Sequence, residues 1–263
     1  MAPTVPTIDA DTCVGCGSCT SVCPAGVIEV SAKKAVVVHP ERCISCGHCA
    51  AACPAGAISL FDTTPQRLVK LGETAADDFR HLVETRRTVR SFLPDTLSEE
   101  YLTELLDVTQ HCPSAVNFRP VEYTVLGRAF MHQLGLKIGE AFPSDHPYSF
   151  MIKGQGKDGA DPLFHGAPHF VLVHAANKGY DPAEDTILAA TTLELYAVAK
   201  GLGTFWGGLV TMCLEMFPNL KAECGIPDDH KVHCCIAVGK TDTAKEKYRR
   251  VVPRVPYPVK YVN

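Results

Sequence analysis

Cysteine spacing supplies the first chemistry that this chain could perform. Cys13, Cys16, Cys19 and Cys23 form a C-x₂-C-x₂-C-x₃-C run closed by Pro24, and Cys43, Cys46, Cys49 and Cys53 repeat it up to Pro54. Three thiolates on one tight loop can grip three corners of an iron–sulfur cubane, while the fourth cysteine, beside its Pro-bounded turn, serves the other cluster. That rule assigns Cys13, Cys16, Cys19 and Cys53 to one [4Fe-4S] centre, and Cys43, Cys46, Cys49 and Cys23 to a second. Paired CxxC motifs also build structural zinc sites, but those lack the third cysteine and the trailing Cys-Pro. Gly15, Gly17 and Gly47 suit the same loops, because small residues let backbone N–H groups approach cluster sulfurs. The chemistry implied is the movement of single electrons.

A second constellation lies downstream. Arg86, Arg87, Thr88 and Arg90 place three guanidinium groups and a hydroxyl within five residues, a good anion cradle. Cys112, Pro113, Ser114 and Asn117 lie in a Pro-bounded turn able to show the Asn117 amide to a planar heterocycle. Gly201 to Gly208 closes the long helix that begins near Asp185, and its glycines let backbone amides come close to a ligand. Lys247, Arg249 and Arg250 add cations near the end of the sequence. His146, His165 and His169 read as structural histidines, Trp206 as core packing, and Cys213, Cys224, Cys234 and Cys235 as buried thiols. Cys112 is the remaining cysteine best placed to line a pocket.

The elements that must position these residues follow from pattern. The segment from Asp11 to Val30 recurs from Glu41 to Leu60, so one unit has been doubled. Each copy ends in a β-branched stretch, and Ala35 to Val38 adds another, predicting short strands that pin two cysteine loops together. So small a unit has little apolar core, and its fold should depend on what the cysteines bind. Cysteine density collapses near Asp62, which divides the chain into residues 1–62 and 63–263. Helical periodicity then predicts helices over Pro65 to Leu71 and Ala75 to Arg86. Ser98 as N-cap, Glu99 and Glu100 in the first turn, and Leu102, Leu105 and Leu106 on one face predict another. Val121 to Leu126, His169 to His174 and His233 to Val238 read as strands, and Asp185 to Lys200 as a helix. Residues 142–166 show no period, the pattern of a lid or binding loop or else of a wandering surface loop. The fold class is α+β, with a central sheet flanked by helices after the small cysteine module.

The N-terminal repeat is similar to two-cluster bacterial ferredoxins. In their order and intervals, the later elements resemble the FMN-dependent nitroreductase family, and the whole chain resembles nitroreductases that carry a ferredoxin domain. Its R-R-S-x-R pattern is met with Thr88 in the serine position, and its P-S-x-x-N-x-Q-P pattern with Arg119 in place of glutamine. The resemblance implies that Arg86, Arg87 and Thr88 hold the FMN phosphate and ribityl side, with Lys247 and Arg249 completing the phosphate site, or Arg250 by a one-residue shift. It sets Arg90 and Asn117 near the N1/O2 or N3 edge, and Gly207, Gly208 and Leu209 beside N5. It also implies an intertwined homodimer, in which Pro113, Ser114 and Asn117 would serve the neighbouring chain's flavin. No nucleophile or general acid is required, because the chemistry belongs to the cofactor.

Composition closes off other classes. The 263 residues carry 25 basic against 29 acidic side chains, a net charge of −4, without the basic field that nucleic acid demands. The longest apolar stretch, Leu188 to Val210, is broken by Glu194 and Lys200, so no membrane span is expected. The first residues lack a basic start and an apolar core, which points to a cytoplasmic chain with reduced thiols. Gly201 to Gly208 lacks the strand and acidic partner of a dinucleotide fingerprint. The expected function is an oxidoreductase: two [4Fe-4S] clusters relay electrons to FMN, which reduces a nitroaromatic, quinone or conjugated carbonyl by hydride transfer. Ferredoxin or NAD(P)H would be the donor. An electron-transfer subunit serving another protein, and a dehalogenating or flavin-cleaving relative, remain alternatives.

Overall fold

A computed structural model describes residues 4–61, 63, 65–241 and 251–262. The chain forms two compact units, residues 1–72 with Ala115–Phe118, and residues 73–114 with 119–263. The divide therefore falls beyond the compositional break at Asp62, and the first unit includes a short segment distant in sequence.

In the first unit the repeat is visible as structure. Strand β1 (Thr7–Ile8) pairs antiparallel with β4 (Ile58–Ser59), and β2 (Ile28–Ser31) with β3 (Lys34–Val37). Each cysteine run carries a one-turn helix, α1 (Ser18–Ser21) and α2 (His48–Ala51). Gly17 and Gly47 cap those turns in left-handed conformation, at φ 78° and 74°, where an L side chain would be strained. A Cβ on Gly15 would lie 2.1 Å from the Lys33 carbonyl oxygen, so that loop closes only with glycine. The buried cluster of Cys13, Cys19, Val27, Ile28, Ala35, Ala50, Ala57 and Ile58 contains nothing larger than isoleucine. So little apolar area cannot by itself offset the chain entropy of folding.

The second unit is built on a four-stranded antiparallel sheet in the order β5-β6-β8-β7: β5 (Val121–Gly127), β6 (His169–Ala176), β7 (Gly203–Trp206) and β8 (His230–Gly239). Both faces of β6 are covered. Phe170 and Leu172 point into one core, and Val171 and Val173 into the other. Each such fully buried side chain contributes roughly 1.5–3 kcal/mol. Helices α3 (Ala75–Thr85), α4 (Glu99–Asp107), α5 (Arg128–Ala141), α6 (Ser149–Ile152), α7 (Pro182–Ala199), α8 (Gly208–Met216) and α9 (Pro218–Glu223) complete the unit. Helix α4 begins as expected, with the Ser98 hydroxyl accepting the Tyr101 N–H at 3.2 Å. Helix α7 begins with proline in its first turn, followed by Glu184 and Asp185, which suit its positive end.

Three expectations are corrected. Residues Pro65 to Leu71 form no helix. Leu68, at 94% exposure, and its neighbours have no apolar surface to cover, and a seven-residue helix without packing is unstable. The Gly201–Gly208 stretch is not merely a glycine-rich helix ending, since Gly203–Trp206 forms strand β7 against β8. Residues 142–166 are neither a wandering loop nor a free lid. They contain α6, and Phe142, Ile152, Leu163 and Phe164 are buried in the main core.

Candidate functional site

The two cysteine runs converge crosswise within the first unit. One cavity is lined by Cys13, Cys16, Cys19 and Cys53, and a second by Cys43, Cys46, Cys49 and Cys23. Each therefore gathers three cysteines of one copy and the last of the other. Backbone N–H groups donate to four of the sulfurs: Ala35 to Cys13 at 3.4 Å, Val27 to Cys23 at 3.3 Å, Ser45 to Cys43 at 3.4 Å, and Ala57 to Cys53 at 3.3 Å. Such bonds favour thiolate over thiol. The Ala35 and Gly15 amides hold Cys13 below the usual thiol range, and the Ser18 hydroxyl does the same for Cys16. Burial pushes Cys19 and Cys49 the other way. Four sulfurs around each small, largely apolar cavity, with amides aimed at them, fit a cubane.

The arginine cradle follows α3 in the second unit. Arg86 leaves the helix and donates from Nη1 to Glu194 Oε1 at 3.0 Å. Glu194, on α7, is almost fully buried and also accepts Trp206 Nε1–H at 2.9 Å on its other oxygen. The Thr204 hydroxyl adds a longer contact at 3.4 Å. Arg87 caps the end of α3, donating to the Glu84 carbonyl at 2.8 Å and the Arg86 carbonyl at 2.7 Å. Thr88 bridges Thr204 of the edge strand β7, and the Val89 N–H donates to the Thr204 carbonyl at 2.8 Å. Arg90 is exposed. Burial, then the Arg90 charge, hold His165 below the usual imidazole range. The His165 ring in turn stands edge-on to Phe205 at 5.3 Å. Lys247, Arg249 and Arg250 lie outside the described residues.

At the start of α8 the glycine pair divides its duties. The Gly207 N–H donates to the Cys235 carbonyl at 2.8 Å, so that amide is engaged in the sheet. A Cβ on Gly207 would meet Phe170 Cζ at 2.1 Å, whereas one on Gly208 would meet nothing within 4 Å. Gly208 and Leu209 lie in the first turn of α8, where helix geometry supplies their N–H groups with no acceptor. Those two amides, at the positive end of a nine-residue helix, suit an electron-rich ligand atom.

The turn around Asn117 is strained. Val116, Asn117 and Arg119 all have positive φ, at 46°, 56° and 52°. The Ser114 hydroxyl accepts the Arg119 N–H at 3.0 Å. Within the first unit, Asn117 Nδ2 donates to the Ile44 and Ser45 carbonyls at 2.9 and 3.0 Å, beside the second cysteine run. Pro113 and Ser114 line a cavity of about 310 Å³ with Cys112, Tyr123 and Arg119, and the Cys112 thiol donates to the Thr192 hydroxyl at 3.0 Å.

His169 Nε2 accepts the Leu97 N–H at 2.8 Å, and burial pushes Cys213, Cys224 and Cys234 up to about 12. Trp206 does more than pack, since it holds Glu194. Local pattern does not mark that acid as a site residue; its one signal in the sequence is a carboxylate interrupting the apolar stretch from Leu188 to Val210.

Comparison with known proteins gives two family matches: a nitroreductase family model over residues 83–240 and a 4Fe-4S dicluster domain over residues 5–54. A nitroreductase from Mycolicibacterium smegmatis is 25% identical over 195 residues, 61% of this chain and 82% of its own. A protein from Methanothermobacter thermautotrophicus described as a putative NADH dehydrogenase/NAD(P)H nitroreductase is 27% identical over 143 residues, 52% of this chain. The match spans 64% of that relative's length. The fold is shared with a Bacteroides fragilis nitroreductase solved with bound FMN, at TM-score 0.60 and 19% identity, covering 70% of this chain and 99% of that one. A Desulfitobacterium hafniense nitroreductase with bound FMN gives 0.56 and 21%, covering 71% and 98%.

Proposed function

The chain belongs to the nitroreductase family, and on that premise we propose an FMN-dependent oxidoreductase in which two [4Fe-4S] clusters relay single electrons to the flavin, whose N5 reduces a small electrophile such as a nitroaromatic, quinone or conjugated carbonyl by hydride transfer. One observation carries the reading: a pair of crosswise four-cysteine cavities occurs in the same chain as the family's sheet and helices. The protein's part is binding and electrostatics.

Cys13, Cys16, Cys19 and Cys53 would hold one cluster, and Cys43, Cys46, Cys49 and Cys23 the other. Amides at the sulfurs stabilise negative charge there. Arg86, Arg87, Thr88, Lys247 and Arg249 would receive the phosphate and ribityl side, with Arg86 fixed in place by Glu194. Arg90 and Asn117 would lie at the ring edge, and the Gly208 and Leu209 amides at N5. A positive group near a developing anion lowers its energy most where water is excluded. No histidine is assigned a proton, and His169 is already bonded to Leu97.

A homodimer in the cytoplasm, with Pro113, Ser114 and Asn117 serving the neighbouring chain's flavin and ferredoxin or NAD(P)H as donor, completes the proposal. Among the described residues no helix is long and apolar enough to cross a membrane. Anaerobically purified protein should contain about eight irons and one FMN per chain. Reduced ferredoxin should bleach the flavin after the clusters; cluster reduction without flavin bleaching overturns the relay.

A second reading has one observation in its favour. The buried anchors Phe142, Ile152 and Leu163 make residues 142–166 less suited to closing over a small substrate. A flavin that passes electrons to another protein needs no such closure. Turnover of nitro compounds by the purified protein with a chemical reductant separates the two readings, since only the enzyme would consume them.

A further inference from the structure

At the end of the sheet where β5 and β8 begin and β6 finishes, Glu122, His174 and His230 bring three potential ligand atoms within 4.8 Å of one another. We propose that they form a binding site for a late first-row divalent cation of the Zn²⁺ class, which ties the ends of the three strands together.

Strand register produces the grouping. Glu122 lies directly opposite His174, and His230 opposite Ala176, so His230 is diagonal to His174 on the same face. The β6–β8 register shifts between Val173 and His174, leaving His233 outside the pairing. That bulge bends the beginning of β8, where His230 lies. Both histidines are buried, while Glu122 is exposed and gives the ion a route from solvent.

The ring nitrogens are arranged for a metal. His174 Nδ1 and His230 Nδ1 stand 2.9 Å apart, so between neutral rings one must donate its hydrogen to the other. A cation can take the place of that shared proton and leave both nitrogens as lone-pair donors. At Zn–N distances of about 2.0–2.1 Å, a tetrahedral ion needs its two nitrogens about 3.3 Å apart, which the rings reach by parting a few tenths of an ångström. The opposite nitrogens already have partners. His174 Nε2 meets the Thr124 hydroxyl at 3.2 Å, and His230 Nε2 faces the Asp229 carboxylate at 4.0 Å. A histidine ligand is normally oriented in this way through its other nitrogen. Lys221 Nζ donates to the His230 carbonyl at 2.8 Å and fixes the backbone at that ligand. Two imidazoles and one carboxylate suit zinc and its neighbours, whereas Mg²⁺ and Ca²⁺ favour oxygen throughout.

Protein loaded with clusters and flavin is titrated anaerobically with Zn²⁺ by calorimetry, and with Co²⁺ as a visible-absorption probe. One Zn²⁺ equivalent should bind and Mg²⁺ should not compete. His230→Gln should weaken binding by about 100-fold or more, and Glu122→Gln by about 10-fold. Glu122→Gln changes an exposed side chain, so it reports even where a buried histidine variant fails to fold. Absence of zinc binding to the loaded protein, or equal binding by wild type and Glu122→Gln, overturns the site.

Discussion

Glu194 holds Arg86 at 3.0 Å across the second unit and, through its other oxygen, holds the Trp206 indole at 2.9 Å. One buried carboxylate thereby joins the arginine cradle after α3 to the edge strand β7. Glu194→Ala should cost about 2–4 kcal/mol of unfolding free energy, because it strands a partly buried guanidinium and an indole N–H. Glu194→Gln keeps an acceptor for the indole and should cost less. Urea denaturation of the three proteins checks the order, and FMN affinity should fall with it.

Gly207 and Gly208 differ in what a methyl group would meet. Gly207→Ala drives a Cβ into Phe170 at 2.1 Å, an overpacking that should cost about 1–3 kcal/mol. Gly208→Ala finds open space and should leave the melting temperature within a few degrees. Thermal melts of both variants test this, and equal destabilisation would contradict the geometry.

The crossed cysteine cavities predict which cluster each variant loses. Cys53→Ser should remove the centre shared with Cys13, Cys16 and Cys19, leaving about four irons per chain. Cys23→Ser should remove the other. Iron analysis with EPR of the reduced proteins distinguishes the surviving centres, and the same surviving spectrum from both variants would refute the crossing.

The bond from the Leu97 N–H to His169 predicts a pH response. Burial, and then the Arg128 charge, lower the His169 pKa below its ordinary 6.5. The unfolded chain therefore takes up the proton first as pH falls. The stability from this group is full above about pH 6.5 and is lost as pH drops from there through the folded value. His165 and His233, lowered chiefly by burial, act in the same direction. Melting temperatures measured from pH 8 to 5 should decline, and His169→Asn should flatten part of the decline.

The doubled cysteine run, the Ser98 cap, the long helix from Asp185 and the three strands that Val121, His169 and His233 introduce are matters of local spacing, legible in the chain alone. Ligand geometry and backbone period act over a few residues, so their signature is linear. What joins residues far apart in sequence left no such mark. Strand β7 is only four residues long and lies between glycines, and its pairing with β8 makes it a strand. The helix expected over Pro65 to Leu71 fails for the converse reason, since its leucines meet no partner surface. Glu194 reads as an interruption in an apolar stretch until Arg86 and Trp206 arrive at its two oxygens, and His174 and His230 become a pair only through strand register. Local chemistry thus set which residues could act, while tertiary packing, which desolvates some groups and pairs others, decided which of them meet.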